Sequence, residues 1–147
     1  TRGMFVTVLY RLAGMPPVAD AGEFLDAADP SQYYYGAVGW ANGNSIVTGY
    51  DDGRFQPSAN ISREQMAVIM HRYATYKNID TAVGDAPAYD QFPDRGSVSP
   101  YASEALRWAS AKGIINGSDG NLLPGASATR AQVAQIILNF SQSVAAR

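Results

Sequence analysis

Cysteine is absent from the 147 residues, and histidine occurs once, at His71. Without cysteine there are no disulfides and no thiolate metal sites. A metal site built on a single histidine is not expected either. Nor is there a Cys nucleophile or a G-x-S-x-G elbow. Glycoside hydrolysis needs two acids about 5–9 Å apart across a cleft, and no pair of carboxylates is marked out for it. No catalytic residue, metal or cofactor is therefore assigned. Charge of either sign is sparse: 11 Lys and Arg against 13 Asp and Glu give a formal charge of -2. No basic stripe appears, which argues against a nucleic-acid partner. No stretch approaches the roughly 18 apolar residues that span a bilayer, so membrane insertion is not expected. The chain opens on Thr1 with no signal peptide, and reads as a fragment or a mature piece.

What the chain does have is repetition. Residues 45–73 read SIVTGYDDGRFQPSANISREQMAVIMHRY, and residues 113–140 read GIINGSDGNLLPGASATRAQVAQIILNF. The opening TRGMFVTVLYRL aligns with the ends of both. Arg2, Arg63 and Arg130 fall in register, 61 and 67 residues apart, each after a hydroxyl residue: Thr1, Ser62 and Thr129. Upstream, Phe24-Leu25-Asp26 matches Phe92-Pro93-Asp94, Tyr33 matches Tyr101, and Trp40-Ala41 matches Trp108-Ala109. Gly49 matches Gly117 and Asp51 matches Asp119. After a one-residue gap, Phe55 meets Leu122 and Pro57 meets Pro124. Periodicity on this scale marks a repeat architecture. The boundaries are one half repeat at 1–14 and two full repeats at about 24–77 and 92–143. MPPVADAGE and NIDTAVGDAPAYDQ, which join them, look like surface links.

Each repeat reads as helix–loop–helix, so the fold class is all-α. The second helix covers Thr1–Gly14, Ser62–Lys77 and Thr129–Ser143. Its apolar stripe is Phe5, Val8, Leu9 and Leu12, then Met66, Ile69, Met70 and Tyr73, then Val133, Ile136, Ile137 and Phe140. That is the i, i+3, i+4, i+7 pattern of an amphipathic helix, and the three stripes are expected to be buried alike. Ser62-x-x-Gln65 and Thr129-x-x-Gln132 are capping boxes. Thr1 has Met4 instead, an incomplete box. The first helix is shorter, about Tyr33–Asn42 and Pro100–Lys112, with Trp40 and Trp108 on its inner side. GYDDGRFQP and GSDGNLLP between the helices are turn chemistry. Asp26 and Asp94 are expected to cap the start of each repeat.

The composite of F-x-D, W-A, G-I/V-x-x-G-x-D-G-x-F-x-P and [ST]-R-x-[EQ] resembles the S-layer homology (SLH) module over nearly the whole chain. The resemblance implies modules in a pseudo-threefold helical arrangement, appended to bacterial surface-layer proteins or to secreted polysaccharide-degrading enzymes. It implies an extracellular place on the bacterial cell wall, and non-covalent anchoring to a secondary cell-wall polysaccharide, often through a pyruvylated sugar. No copy keeps the family's T-R-A-E intact: the chain has Thr1-Arg2-Gly3-Met4, Ser62-Arg63-Glu64-Gln65 and Thr129-Arg130-Ala131-Gln132. The first half of module one is absent, and a complementary fragment could complete it.

The residues themselves leave two readings of the arginines. Each stands at a helix start, where free N–H groups and the dipole favour an anion and a cation is mildly disfavoured. A guanidinium there suits a carboxylate. Alternatively it pairs with Asp51 or Asp119 and locks the loop. The expected groove holds Arg63 or Arg130 beside the loop of the same repeat, Gly49–Gly53 or Gly117–Gly120, and is lined as well by residues of a neighbouring repeat. Trp40 and Trp108 read as core with an exposed edge available to a sugar. At least one of Tyr33–Tyr35 must face solvent, where a tyrosine can stack on a sugar ring or simply be one more exposed aromatic. Asp51-Asp52-Gly53 fails as an EF-hand, because Thr48 and Ala59 would stand where Asp and Glu are required. A protein–protein assembly module without glycan binding is the alternative function.

Overall fold

The computed structural model describes residues 1–18 and 24–145. The connector MPPVADAGE therefore lies partly outside the described residues. Six α-helices follow in order: α1 (Arg2–Leu12), α2 (Tyr35–Gly43), α3 (Arg63–Tyr76), the four-residue α4 (Pro87–Asp90), α5 (Ser103–Ala111) and α6 (Arg130–Ala145). Short 3₁₀ turns at Arg95–Ser97 and Pro100–Ala102 lead into α5. Strand-type pairing among the described residues amounts to isolated bridges, Ser62 to Ser127 and Ser118 to Asn121. The fold is all-α, as the apolar periodicity requires.

The helix starts follow their caps. Ser62 Oγ accepts from Gln65 N at 3.2 Å, while Gln65 Oε1 accepts from Ser62 N at 3.1 Å. Thr129 and Gln132 repeat this at 3.1 and 3.0 Å. The Thr1 box closes too: its hydroxyl accepts from Met4 N at 3.2 Å, and the Met4 thioether lies 4.0 Å from the Thr1 nitrogen. Sulfur is a weak acceptor, so this third box is the poorest of the three.

Two compact units form, Thr1–Ile61 and Ser62–Arg147. Their boundary cuts through a sequence repeat at the start of α3. The unit of packing is thus offset from the unit of sequence by half a repeat: a second helix packs with the first half of the repeat that follows it. In the first unit α1 lies against α2, and Phe5, Val6, Leu9, Val38, Trp40 and Phe55 are buried. In the second, α3 lies against α5, with Met66, Met70, Leu106, Trp108, Ile114 and Leu122 buried. Burying a side chain of this size stabilises by about 1.5–3 kcal/mol. The aromatic contacts repeat in register. Tyr10 meets Trp40 with ring centroids 5.3 Å apart, and its counterpart His71 meets Trp108 edge-on at 5.3 Å.

The three apolar stripes are not buried alike. In α3 all four members are inside. In α1, Val8 and Leu12 remain 38% and 46% exposed, while their counterparts Ile136 and Phe140 in α6 are 5% and 4% exposed. In α6 the shortfall is on the other pair, Val133 and Ile137, which are half-buried. Phe5 and Leu9 of α1 are buried by the repeat that follows.

The second connector is more than a surface link. Pro87–Asp90 is helical, Ala86 and Tyr89 are buried, and Arg107 of α5 lies over the Tyr89 ring at 5.6 Å and within 3.7 Å of Asp90.

Candidate functional site

The loop after each first helix is fixed from beneath. Asp94 accepts from Leu122 N at 2.9 Å and Leu123 N at 2.8 Å. Asp26 accepts from Phe55 N at 2.8 Å and Gln56 N at 2.9 Å. These aspartates tie the front of a repeat to the end of its loop, rather than capping the start of the repeat. Burial pushes the Asp94 carboxyl up, but the N–H donors of Leu122 and Leu123 and the charge of Arg63 outweigh it and hold it below the ordinary carboxylate value. The phenylalanine two residues earlier closes the other side. Gly49 and Gly117 have φ of 70° and 82°, and a Cβ on either would run into Phe24 or Phe92 and stand 2.8 Å from a backbone oxygen. Glycine is required there both for conformation and for room.

Onto this loop the preceding second helix sets its first turn. Arg63 N–H donates to Ala126 O and Glu64 N–H to Pro124 O, both at 2.9 Å. Arg2 N–H and Gly3 N–H make the equivalent bonds to Ala59 O and Pro57 O at 2.9 and 2.8 Å. The amides at these helix starts are therefore already satisfied and are not free to bind an anion. That corrects the expectation drawn from the helix dipole.

The arginine side chain then turns into the same loop. Arg63 Nε donates to Leu122 O at 2.8 Å, and Arg2 Nε donates to Phe55 O at 2.9 Å. The residues are only 4% and 6% exposed. The loop that receives each arginine belongs to the following repeat, so of the two linings expected from the sequence it is the neighbouring repeat that supplies this bond. The two surroundings differ. Arg2 lies over the rings of Tyr50 and Phe55, 4.9 and 4.7 Å from their centroids, where the second unit has Ser118 and Leu122. Around Arg63 burial pulls the guanidinium down from its ordinary value, partly offset by Asp94, and it remains a cation. Among the described residues no acceptor bonds the terminal amino groups of Arg63. Its neighbour Glu64, 8% exposed, accepts from Ser99 N at 3.0 Å, Ser99 Oγ at 2.7 Å and Tyr101 OH at 3.3 Å.

The remaining candidates separate clearly. Arg130 and Thr129 are exposed, and Arg130 makes no such loop contact among the described residues. Asp51 and Asp119 are exposed on their loops, and neither forms an ion pair among the described residues, so the carboxylate facing Arg63 is Asp94. Trp40 and Trp108 are 2% and 1% exposed. A ring with no free face cannot stack on a sugar, so both leave the ligand-binding set and belong to the core. Ser62 serves the helix cap. Sequence reasoning missed Glu64 and the loop-anchoring role of Asp26 and Asp94. The repeated F-x-D was the available signal for the aspartates. No group of His, Cys, Asp or Glu among the described residues could hold a metal ion.

Such a loop, pinned by an F-x-D aspartate and stapled by a helix-start arginine, occurs in both units, and the family model for the S-layer homology domain matches residues 23–67 and 91–134. The chain belongs to the S-layer homology domain family. Both matched segments span an F-x-D and end just past an arginine-led helix start. The chain is similar to an endoglucanase of Bacillus sp. (strain KSM-635), 30% identical over 99% of this chain and 15% of the relative. It is also similar to exoglucanase XynX of Acetivibrio thermocellus, 31% identical over 93% of this chain and 12% of the relative. Cell surface glycoprotein 1 of Acetivibrio thermocellus is 32% identical over 74% of this chain and 4% of the relative. This SLH chain thus spans a small part of each relative. It is a binding module rather than the catalytic part of the enzymes among them, and it is assigned to the bacterial cell surface. Among the described residues no helix is long and apolar enough to cross a membrane.

Proposed function

We propose that this SLH chain anchors to the cell wall by binding a secondary cell-wall polysaccharide, and that the feature read is the carboxylate of an anionic, pyruvylated sugar. Family membership supports wall anchoring in general. The observation that carries the finer reading is Arg63. Its Nε is tied to Leu122 O, the side chain is almost wholly out of solvent, and its terminal amino groups have no bonded acceptor among the described residues. A buried cation with unused donors is costly unless a counter-charge arrives. Asp94 offsets part of the charge but is itself engaged by two backbone amides. A ligand carboxylate would take two parallel N–H donors from the fork. Arg2, with its aromatic lining, is the second candidate. Arg130 is exposed and makes no loop bond of this kind among the described residues. Titration with a pyruvate-ketal glycoside, against the same glycoside lacking the ketal, tests this reading. Equal affinity for the two would remove it.

The uncovered face of α1 supports a second partner. Val8 and Leu12 are exposed where Ile136 and Phe140 are buried, and Phe140 meets Trp108 of its own repeat's first helix at 6.4 Å. The matching cover for α1 is a first half module of the same kind, with an F-x-D and a W-A helix, supplied as a complementary fragment. This partner completes module one (1–14) beside modules 24–77 and 92–143. A protein-only assembly module remains the alternative, and it self-associates without walls. Pelleting with purified cell walls, before and after the polymer is stripped from them, separates the two.

A further inference from the structure

Two tyrosines stand at the same repeat position and are exposed to the same degree: Tyr33 at 58% and Tyr101 at 59%. Most exposed tyrosines swing freely, but these two are held. Tyr101 OH donates to Glu64 Oε1 at 3.3 Å, and that carboxylate is itself fixed by Ser99 N and Oγ. Tyr33 stands edge-on to Tyr34, with centroids 5.1 Å apart. Tyr101 is thereby tied to the residue that follows a buried arginine, and Tyr33 packs on Tyr34, which borders the residue in the equivalent place. Glu64 follows Arg63. In the first unit that residue is Gly3, where even a Cβ would sit 3.3 Å from the Tyr34 ring. The second unit thus presents a hydrogen-bonded, solvent-facing ring, Tyr101, beside the first turn that carries the arginine, and the first unit presents Tyr33 one residue from the ring that borders that turn, Tyr34.

We infer that Tyr33 and Tyr101 are ring-stacking subsites for a pyranose of the polymer, each receiving the apolar face of a sugar next to the arginine that reads the charge. A fixed ring loses little conformational freedom when a sugar settles on it, and an aromatic body with a polar tip suits a partly wet carbohydrate interface. This rests on the anionic-sugar reading above.

The test is calorimetric titration of the intact chain and of Tyr33→Ala, Tyr101→Ala and Tyr101→Phe, with two probes: free pyruvate, and a pyruvate-ketal methyl glycoside. Wild type should bind the glycoside more tightly than pyruvate. The double alanine variant should lose about tenfold of that preference, with pyruvate affinity unchanged. Tyr101→Phe, which keeps the ring, should retain most of it. If wild type binds neither probe, the anionic-sugar reading fails and the inference goes with it. If both probes bind and the alanine variants keep the full preference for the glycoside, the subsite is wrong while the arginine reading stands. Circular dichroism of each variant separates lost stacking from lost fold.

Discussion

Arg63 Nε and the carbonyl oxygen of Leu122 lie 2.8 Å apart, a bond that joins the second helix of one sequence repeat to the loop of the next. Its counterpart from Arg2 to Phe55 shows that the bond belongs to the architecture. The arginine is a staple through Nε; under the proposed function its outer donors are the ones offered to a ligand carboxylate. On that proposal, the choice between structural and binding roles that the sequence leaves open becomes a division within one side chain.

From the helix dipole alone, removing Arg63 should leave folding untouched. Its burial changes that. Arg63→Ala should lower stability by about 1–2 kcal/mol, for the lost hydrogen bond and stem packing, while Arg130→Ala should be near neutral. Urea midpoints for the two variants check this, and equal midpoints would contradict it.

Gly117→Ala should cost more. It forces a side chain into left-handed φ, about 1–2 kcal/mol, and drives a Cβ into Phe92. Gly113 also has positive φ, 70°, but open space around its Cβ position. Gly113→Ala should pay only the conformational part. Thermal melts of the pair isolate the steric share; the account expects Gly117→Ala to melt clearly lower.

The Asp94 carboxyl is held below its ordinary value in the fold. Its contribution is present above the unfolded value of about 3.9 and is lost as pH falls through the lower folded value. Asp94→Asn should therefore flatten the stability profile on the acid side of pH 4. Chemical denaturation at pH 3 and pH 6 reads it out: the difference between the two should shrink in the variant.

His71 behaves differently, with its Nε2 buried and without an acceptor and its ring against Trp108. Burial lowers its proton affinity, partly offset by Glu104. Its contribution is complete above the unfolded value of about 6.5 and falls away as pH drops towards the lower folded value. His71→Tyr, the residue found at the equivalent Tyr10, should remove this dependence between pH 7 and pH 5. A profile of unchanged slope would contradict it.

Local pattern carried the helices. Capping boxes at Ser62 and Thr129 set starts that hold to the residue, because cap and stripe are both local. The half-repeat offset was not legible, since a sequence repeat records homology while packing joins neighbours. That offset makes the following repeat, at Leu122, the neighbour that receives Arg63. Trp40 and Trp108 were placed at the core but kept a sugar-facing edge that burial removes. Asp94 was visible as a motif, yet its partners lie 28 and 29 positions away at Leu122 and Leu123. No local rule reaches that far.

The central claim is that a pyruvylated sugar is read by Arg63. Titration of wild type, Arg63→Ala and Arg63→Lys with the pyruvate-ketal glycoside and with its ketal-free form tests it most directly. A charge-assisted bond contributes about 1.5–3 kcal/mol, so Arg63→Ala should weaken binding to its site by roughly tenfold to a hundredfold. Arg63→Lys should recover only part, since it keeps charge but loses the fork. The ketal-free glycoside should bind weakly to all three. Wild-type affinity for the ketal in a folded Arg63→Ala, or no preference for the ketal in the wild type, would contradict the account.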